Sequence, residues 1–393
     1  MQDRLQSGKR QKKTGLGKVF RKAAARTIGI TVGYGKVARD TKGRKSKCVC
    51  GWKERKGEKS SAMGNDPACH SGFAQIYCQV LYCRVSVFVT VSMPETFLKN
   101  KHAVRLGTRG STLARWQANW TAEQLAALGV AVEMVIIQTS GDLIQDESII
   151  NIGAQGVFTK EIQRALLENK IDIAVHSLKD LPTEPVLGLS LAAVPKRESH
   201  RDAFVSLIAE NIDDLPKGSR IGTGSLRRKT QVLNRFGDKY LVEDIRGNVE
   251  TRLRKLEQGE YDALILAEAG LMRLGLVDSI RSVLEPPFFL PAIGQGALGW
   301  EIRTEDQQTA ELLQPLTDAP TFAAVLAERA MLRTLQGGCS APIAALGTVE
   351  NSLLTLHGRI LSLDGKRMFD AVQSAPLSDD PELLGGSVAR ELY

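Results

Sequence analysis

The sequence predicts an α/β protein, two doubly wound domains joined by hinges and followed by a small α+β domain. Three observations carry this. From residue 102 onward, apolar runs of strand length alternate with stretches whose apolar residues recur at helical spacing. Two crossings, Arg197-Glu198-Ser199-His200 and Pro291-Ala292-Ile293-Gly294-Gln295-Gly296, interrupt that alternation. From about Thr321 the order changes to one helix and then short strands over 344–349 and 353–360. The expected domains are 102–198 with 296–318, then 199–295, then 319–393. The third reads as short of its last elements where the chain stops at Glu391-Leu392-Tyr393.

Residues 1–101 stand apart as a basic leader. They hold 22 Lys and Arg against 6 Asp and Glu, a charge of +16, whereas the remainder holds 30 against 38, a charge of −8. The net +8 of the whole chain therefore belongs to the leader and gives no reason to expect a nucleic-acid partner. The leader is expected to be disordered and outside the working protein, with Met93 a natural start. A plastid transit peptide is the alternative. Cys48, Cys50, Cys69, Cys78 and Cys83 do not form the paired spacing of a zinc site, so no metal is expected. Residues 73–91 are apolar but broken by Gln75, Gln79 and Arg84, too polar for a membrane span.

The elements follow in order. Residues 104–108 form a strand, and a helix opens at Ser111 with Leu113, Trp116 and Trp120 on one stripe, the mark of core packing. The run 132–138 is β-rich and ends in Thr139-Ser140-Gly141-Asp142. Residues 159–169 carry Ile162, Ala165 and Leu166 on one helical face, and a strand over 171–175 follows at once. Beyond the first crossing come a strand at 220–222, a helix from Leu226, a strand at 240–245, a helix at 249–258 and a strand at 263–267. Such alternation predicts largely parallel sheets with helices on both faces.

The functional signal lies at strand ends, where open α/β sheets bind ligands. His176-Ser177-Leu178-Lys179-Asp180-Leu181-Pro182 puts a hydroxyl, an ammonium and a carboxylate within four residues. On its own this is equally a solvated loop with a Lys-Asp pair. Gly222-Thr223-Gly224-Ser225-Leu226-Arg227-Arg228 runs from strand into helix, where Ser225 caps the helix and leaves amide groups for an anion. Two arginines in a helix's first turn oppose its dipole unless an anion compensates. The third glycine of a dinucleotide fingerprint and the Gly-Lys-Ser/Thr of a P-loop are both missing. Arg246-Gly247-Asn248 with Arg252, and Arg109 with Ser111, add two more anion-binding corners. Arginine's planar fork suits carboxylates, so their repetition implies a substrate with many of them. Cys339, the last cysteine of the chain, sits in Leu335-Gln336-Gly337-Gly338-Cys339-Ser340-Ala341-Pro342. The glycines and the proline put this thiol on a loop; by loop chemistry alone it is an accidental free thiol or a reactive one.

Gly107-Thr108-Arg109-Gly110-Ser111, the His176 to Pro182 run, the Gly222 to Arg228 run, Arg246-Gly247-Asn248 and Gly337-Gly338-Cys339, in this order, resemble the porphobilinogen deaminase (hydroxymethylbilane synthase) family. The likeness extends from about residue 102 to the C-terminus, and five ordered motifs are far more specific than one. It implies a transferase that condenses four porphobilinogen molecules head to tail, releases ammonia at each step and yields hydroxymethylbilane for tetrapyrrole biosynthesis. The implied architecture resembles periplasmic binding proteins. The implied cofactor is a dipyrromethane held by a thioether at Cys339, a role that suits a nucleophilic thiolate. Asp180 is the implied catalytic carboxylate. Ser177, Lys179, Thr223, Ser225, Arg227 and Arg228 match cofactor-holding positions. Arg109, Ser111, Lys160, Arg246, Asn248, Arg252 and Gln295 match substrate contacts.

Where many members have Gly-Lys-Gly, this chain has Ala154-Gln155-Gly156, so one cation is missing from the segment 144–156, read as a lid. Residues 197–201 and 294–296 are read as hinges. Two other protein classes fit parts of this pattern. A two-domain binding protein for a polycarboxylate has no use for Cys339. A cysteine hydrolase would need His176, His200 or His357 as base, and no spacing pairs any of them with Cys339. The expected partner is porphobilinogen, with no nucleic acid and no membrane. The expected state is a monomer in the cytoplasm, or in a plastid if the leader is a transit peptide.

Overall fold

The structure, a computed structural model, describes residues 103–139, 159–337 and 341–393, with strands at 30–34, 79–82 and 85–91. The chain divides into two units, Met1–Lys101 and His102–Tyr393. In the first, β1 (Ile30–Tyr34), β2 (Gln79–Tyr82) and β3 (Val85–Val91) pair antiparallel in the order β1-β3-β2. The run Val-Ser-Val-Phe-Val-Thr-Val of β3 has the β-branched composition of a strand. The rest of the leader expected to be disordered lies outside the described residues, as do the lid segment 144–156 and Cys339.

The second unit opens with β4 (Val104–Arg109), α1 (Thr112–Ala127), β5 (Val132–Ile137), α2 (Lys160–Leu167), β6 (Ile173–Ser177) and β7 (Leu189–Ala193). A second sheet follows through β8 (Asp202–Ser206), β9 (Arg220–Gly222), α3 (Leu226–Phe236), β10 (Leu241–Glu243), α4 (Val249–Glu257), β11 (Ala263–Ala267), α5 (Glu268–Arg273) and β12 (Ser282–Leu284). The chain returns to the first sheet as β13 (Leu298–Arg303) and runs through α6 (Gln307–Leu313) and α7 (Ala319–Thr334). It closes with β14 (Ile343–Glu350), β15 (Leu353–Leu361), β16 (Met368–Pro376) and α8 (Pro381–Leu392).

The sheet orders are β5-β4-β6-β13-β7, β10-β9-β11-β8-β12 and β14-β15-β16. β4 runs parallel to β5 and β6, and β9 to β10 and β11, as βαβ crossovers require. β13 lies antiparallel to β6 and β7, and β8 antiparallel to β11 and β12, so each sheet is largely parallel, as expected, with one reversed strand. The physical reason is connectivity: β8 and β13 enter their sheets from the other sheet, not through a crossover helix.

The first core packs Ile162 and Leu166 of α2 against Ile171 and Ala174. On α1 the buried residues are Ala114, Gln117, Ala118, Thr121 and Leu125, one position away from the expected stripe. Small side chains let α1 lie close to the sheet, and Trp116 is left exposed at the helix edge. Deeper in, Trp300 donates its Nε1 hydrogen to Thr121 Oγ1 at 3.1 Å and packs near Trp120. The third core joins Met331 of α7, Leu356 of β15 and Val388 of α8. A Cβ on Gly385 would stand 2.3 Å from the Ala327 carbonyl, so only glycine permits that approach of α8 to α7.

The two crossings run side by side. Glu198 N donates to Gly296 O at 3.3 Å, and a Cβ on Gly296, whose φ is +85°, would meet Ser199 O at 2.4 Å. Arg197 pairs with fully buried Glu328 of α7 at 2.6 Å, and Glu328 also accepts from the Gly294 and Gly347 amides. Both crossings are thus tied to the third region.

Candidate active site

Four strand ends build the site: that of β4, which carries Arg109 and Ser111 ahead of α1, and those of β6, β9 and β10. At the end of β6, Leu178 is buried and its amide donates to Ala297 O at 3.0 Å, which fixes a single tight turn over Leu178–Asp180. That anchor leaves Lys179 and the exposed Asp180 at the cavity wall. Ser177, just before them, exchanges hydrogen bonds with Gln117 of α1 at 2.8 and 3.2 Å.

At the end of β9, Gly222 packs so closely on Leu264 and Tyr261 that a Cβ would sit 2.7 Å from the former. Ser225 caps α3 by accepting from the Arg228 amide, and the Ser225 amide itself donates to Thr223 Oγ1. Arg227 and Arg228 are both buried, and both donate to Asp202, at 2.7 Å each. Their two guanidiniums hold the Asp202 carboxyl far below the usual carboxylate range against the opposing effect of burial.

At the end of β10, Gly247 takes a φ of +111°, and Asn248 caps α4 by accepting from Thr251 N at 2.8 Å. Arg246 pairs with exposed Asp244, and Arg252 donates to Gly247 O at 2.8 Å. Burial and the neighbouring Arg228 and Arg246 push Arg252 down to about 10. Burial likewise lowers Lys179 to about 8, although Asp180 opposes it.

These turns enclose a cavity of about 850 Å³ lined by Arg109, Ser111, Ser177, Lys179, Asp180, Arg228, Arg246, Asn248 and Arg252. A smaller compartment of about 220 Å³ is lined by Ser225, Arg227 and Gln295 together with Leu332, Ala341 and Ile343. Lys179, Asp180, Arg228, Arg246 and Arg252 line both. Among the described residues, Asp180 is the one carboxylate on that shared wall. Cys339 lies outside the described residues, but Leu332, Ala341 and Ile343, on either side of it in sequence, line the smaller compartment.

Two anticipated residues line neither space. Thr223 is buried beneath the Ser225 amide, and Lys160 stands exposed at the start of α2. Gln295 is buried at the second crossing, its amide donating to His200 O and Asp202 Oδ1. The cavity also contains residues that the motif reading missed. Arg273 of α5 lines it, donates to Gly296 O at 2.7 Å and lies over the Trp116 ring. Burial lowers it to about 10. Gln117 lines it too. A strand-end search finds neither, because one sits at the far end of a helix and the other mid-helix. Asp202 was missed as well, since only the fold brings it under α3.

A cavity rich in guanidiniums, with Asp180 on the wall it shares with the smaller compartment, can bind a polyanion and stabilise positive charge developing beside that carboxylate. Comparison with known proteins narrows this. Residues 104–311 match the family model described as porphobilinogen deaminase, dipyromethane cofactor binding domain, and residues 322–393 match the porphobilinogen deaminase C-terminal domain. The chain is 52% identical over 266 residues to a porphobilinogen deaminase of Trichlorobacter lovleyi, covering 67% of this chain and 85% of that one. It is 47% identical over 293 residues to one of Acidithiobacillus ferrooxidans, covering 74% and 94%. It is also 47% identical over 292 residues to one of Syntrophotalea carbinolica, covering 74% and 92%.

Proposed function

The chain belongs to the porphobilinogen deaminase family, and from that premise we propose which of its residues carry the reaction. The protein is a transferase that condenses four porphobilinogen molecules head to tail, with loss of ammonia, to hydroxymethylbilane on a dipyrromethane cofactor. When bound, that cofactor supplies the pyrrole carbon to which the first substrate is joined.

The residues fit such a group. Arg227 lines the smaller compartment, and its Nε is buried with no partner among the described residues. A donor in that state costs about 1–3 kcal/mol unless an acceptor arrives, and pyrrole acetates and propionates are acceptors. Arg227, Arg228, Lys179, Ser177 and Ser225 hold the cofactor, Thr223 acts through the Ser225 amide, and Cys339 is its covalent anchor. Gln295, whose amide is spent on the crossing and on Asp202, belongs to this side and not to the substrate's. Arg109, Ser111, Arg246, Asn248 and Arg252 receive the carboxylates of incoming substrate. Lys160 is given no role.

Asp180 performs the chemistry. Loss of ammonia leaves positive charge on the substrate pyrrole, which a fixed carboxylate between the two compartments stabilises. When the new carbon–carbon bond has formed, the same carboxylate accepts the proton released from the attacked pyrrole carbon. The observation that carries this assignment is the position of Asp180 as the only carboxylate lining both compartments among the described residues. Asp180→Asn tests it: product formation should collapse while the mass of two pyrroles stays on the chain. A variant as fast as wild type would reassign the base.

We propose a monomer that acts in the cytoplasm on porphobilinogen, without nucleic acid or membrane. The named relatives are bacterial, and no helix among the described residues is long and apolar enough to cross a membrane. Size-exclusion chromatography with light scattering checks the monomer; a stable dimer peak would refute it.

A further inference from the structure

Asp202 touches neither compartment, yet every feature around it is arranged on the arginines that do. Its side chain is fully buried. Arg227 meets it end-on, through Nη1 at 2.7 Å and Nη2 at 3.3 Å. Arg228 meets it side-on, through Nε at 3.0 Å and Nη2 at 2.7 Å. The remaining donors are fixed in turn, Arg227 Nη1 also to Leu290 O and Arg228 Nη1 to Ile265 O. Arg227 lines the smaller compartment, and its buried Nε has no partner among the described residues. One carboxylate thus offsets the repulsion of two adjacent guanidiniums and selects which of their N–H groups remain for a ligand.

The same carboxylate is coupled to the crossings. Asp202 is the first residue of β8, directly after the crossing 197–201. Gln295, on the other crossing, donates through Nε2 to Asp202 Oδ1 at 2.9 Å, to His200 O at 2.8 Å and to Arg201 O at 3.2 Å. Any change in how the two crossings lie against each other is therefore transmitted to the arginine pair.

We infer that Asp202 is a positioning residue: it sets the angle at which Arg227 and Arg228 meet the cofactor carboxylates, and Gln295 registers that angle to both crossings. This rests on the assignment of the arginine pair to the cofactor. It concerns acquisition of the cofactor more than turnover, because these guanidiniums must be aligned before a pyrrole carboxylate can pair with both.

The test uses the full chain produced in cells unable to make porphobilinogen, mixed with porphobilinogen and followed by intact mass. Asp202→Asn keeps the volume and the hydrogen-bond capacity of one oxygen but removes the charge, and should slow the gain of two pyrroles at least about tenfold, the scale of one lost charge-assisted hydrogen bond. Asp202→Glu should recover part of that rate. Gln295→Met, which leaves the carboxylate and its arginines in place, should slow loading about threefold with little change in melting temperature, the scale of a neutral hydrogen bond. All rates are taken well below each variant's melting midpoint, on chains with wild-type circular dichroism. A folded Asp202→Asn chain that loads at the wild-type rate overturns the inference; if that chain does not fold, wild-type loading by Gln295→Met does so. A wild-type chain that gains no pyrrole overturns the cofactor assignment itself, a different result from a wild type that loads beside variants equally fast.

Discussion

Two groups of arginines face the same site and are held in opposite ways. Arg227 and Arg228 are buried and locked onto Asp202. Among the described residues Arg252 is held by a single backbone carbonyl, Arg273 by a carbonyl and the Trp116 ring, and Arg246 by an aspartate that is itself exposed. The first group has lost its freedom before any ligand arrives, which suits a group that is bound once and kept. The second can exchange a carbonyl for a carboxylate and return, which suits substrate that arrives and product that leaves. Asp180 stands where the two meet.

The largest effect is expected where the two arginine groups meet, at Asp180. Asp180→Ala should lower the rate of product formation by about 10² to 10⁴, the usual contribution of a positioned acid–base group, in a stopped assay for hydroxymethylbilane. Both arginine groups should remain intact, so intact mass should still report two pyrroles.

Next come the locked arginines. Arg228→Leu leaves Asp202 buried beside one guanidinium instead of two, and should cost about 3 kcal/mol in urea unfolding, as breaking a buried pair does. Arg252→Leu removes a cation that only a carbonyl holds. It should change stability by less than about 1 kcal/mol and raise KM for porphobilinogen about tenfold, with the cofactor retained. Equal losses of stability in the two variants would erase the distinction.

The smallest effect concerns pH. Lys179 is lowered to about 8 because burial and the arginines disfavour its charge. Below pH 8 the ammonium is charged and pairs with an anion; as pH rises through 8 it becomes neutral. Loading of the cofactor-free chain should therefore slow severalfold between pH 7 and 9, well short of the ordinary lysine range, and Lys179→Met should flatten that profile. A profile flat in the wild type would mean that another cation carries the contact.

Local chemistry was readable from the sequence because it is local. Glycines before helices, Ser225 as a cap, and arginines after strands all act within a few residues, and the structure brings Arg109, Ser111, Lys179, Asp180, Arg246 and Arg252 to one cavity. Direction and distance were not readable. A strand that enters from another sheet has the same apolar pattern as one that follows a crossover helix, so the reversed β8 and β13 were not foreseen. Asp202 and Arg227 are 25 positions apart and Arg197 and Glu328 are 131 apart, and nothing near either residue announces its partner. Trp116 and Trp120 suggested a core stripe on hydrophobicity alone; packing chose the small residues beside them.

The central claim is that one arginine group holds a permanent ligand while the other exchanges a transient one. Intact mass and peptide mapping of the purified wild-type chain, before and after turnover of a limited amount of porphobilinogen, test it most directly. The mass of two linked pyrroles is expected on the peptide that contains Cys339 in both samples, with any further mass gone once substrate is consumed. An unmodified Cys339 in freshly made, active protein would contradict it.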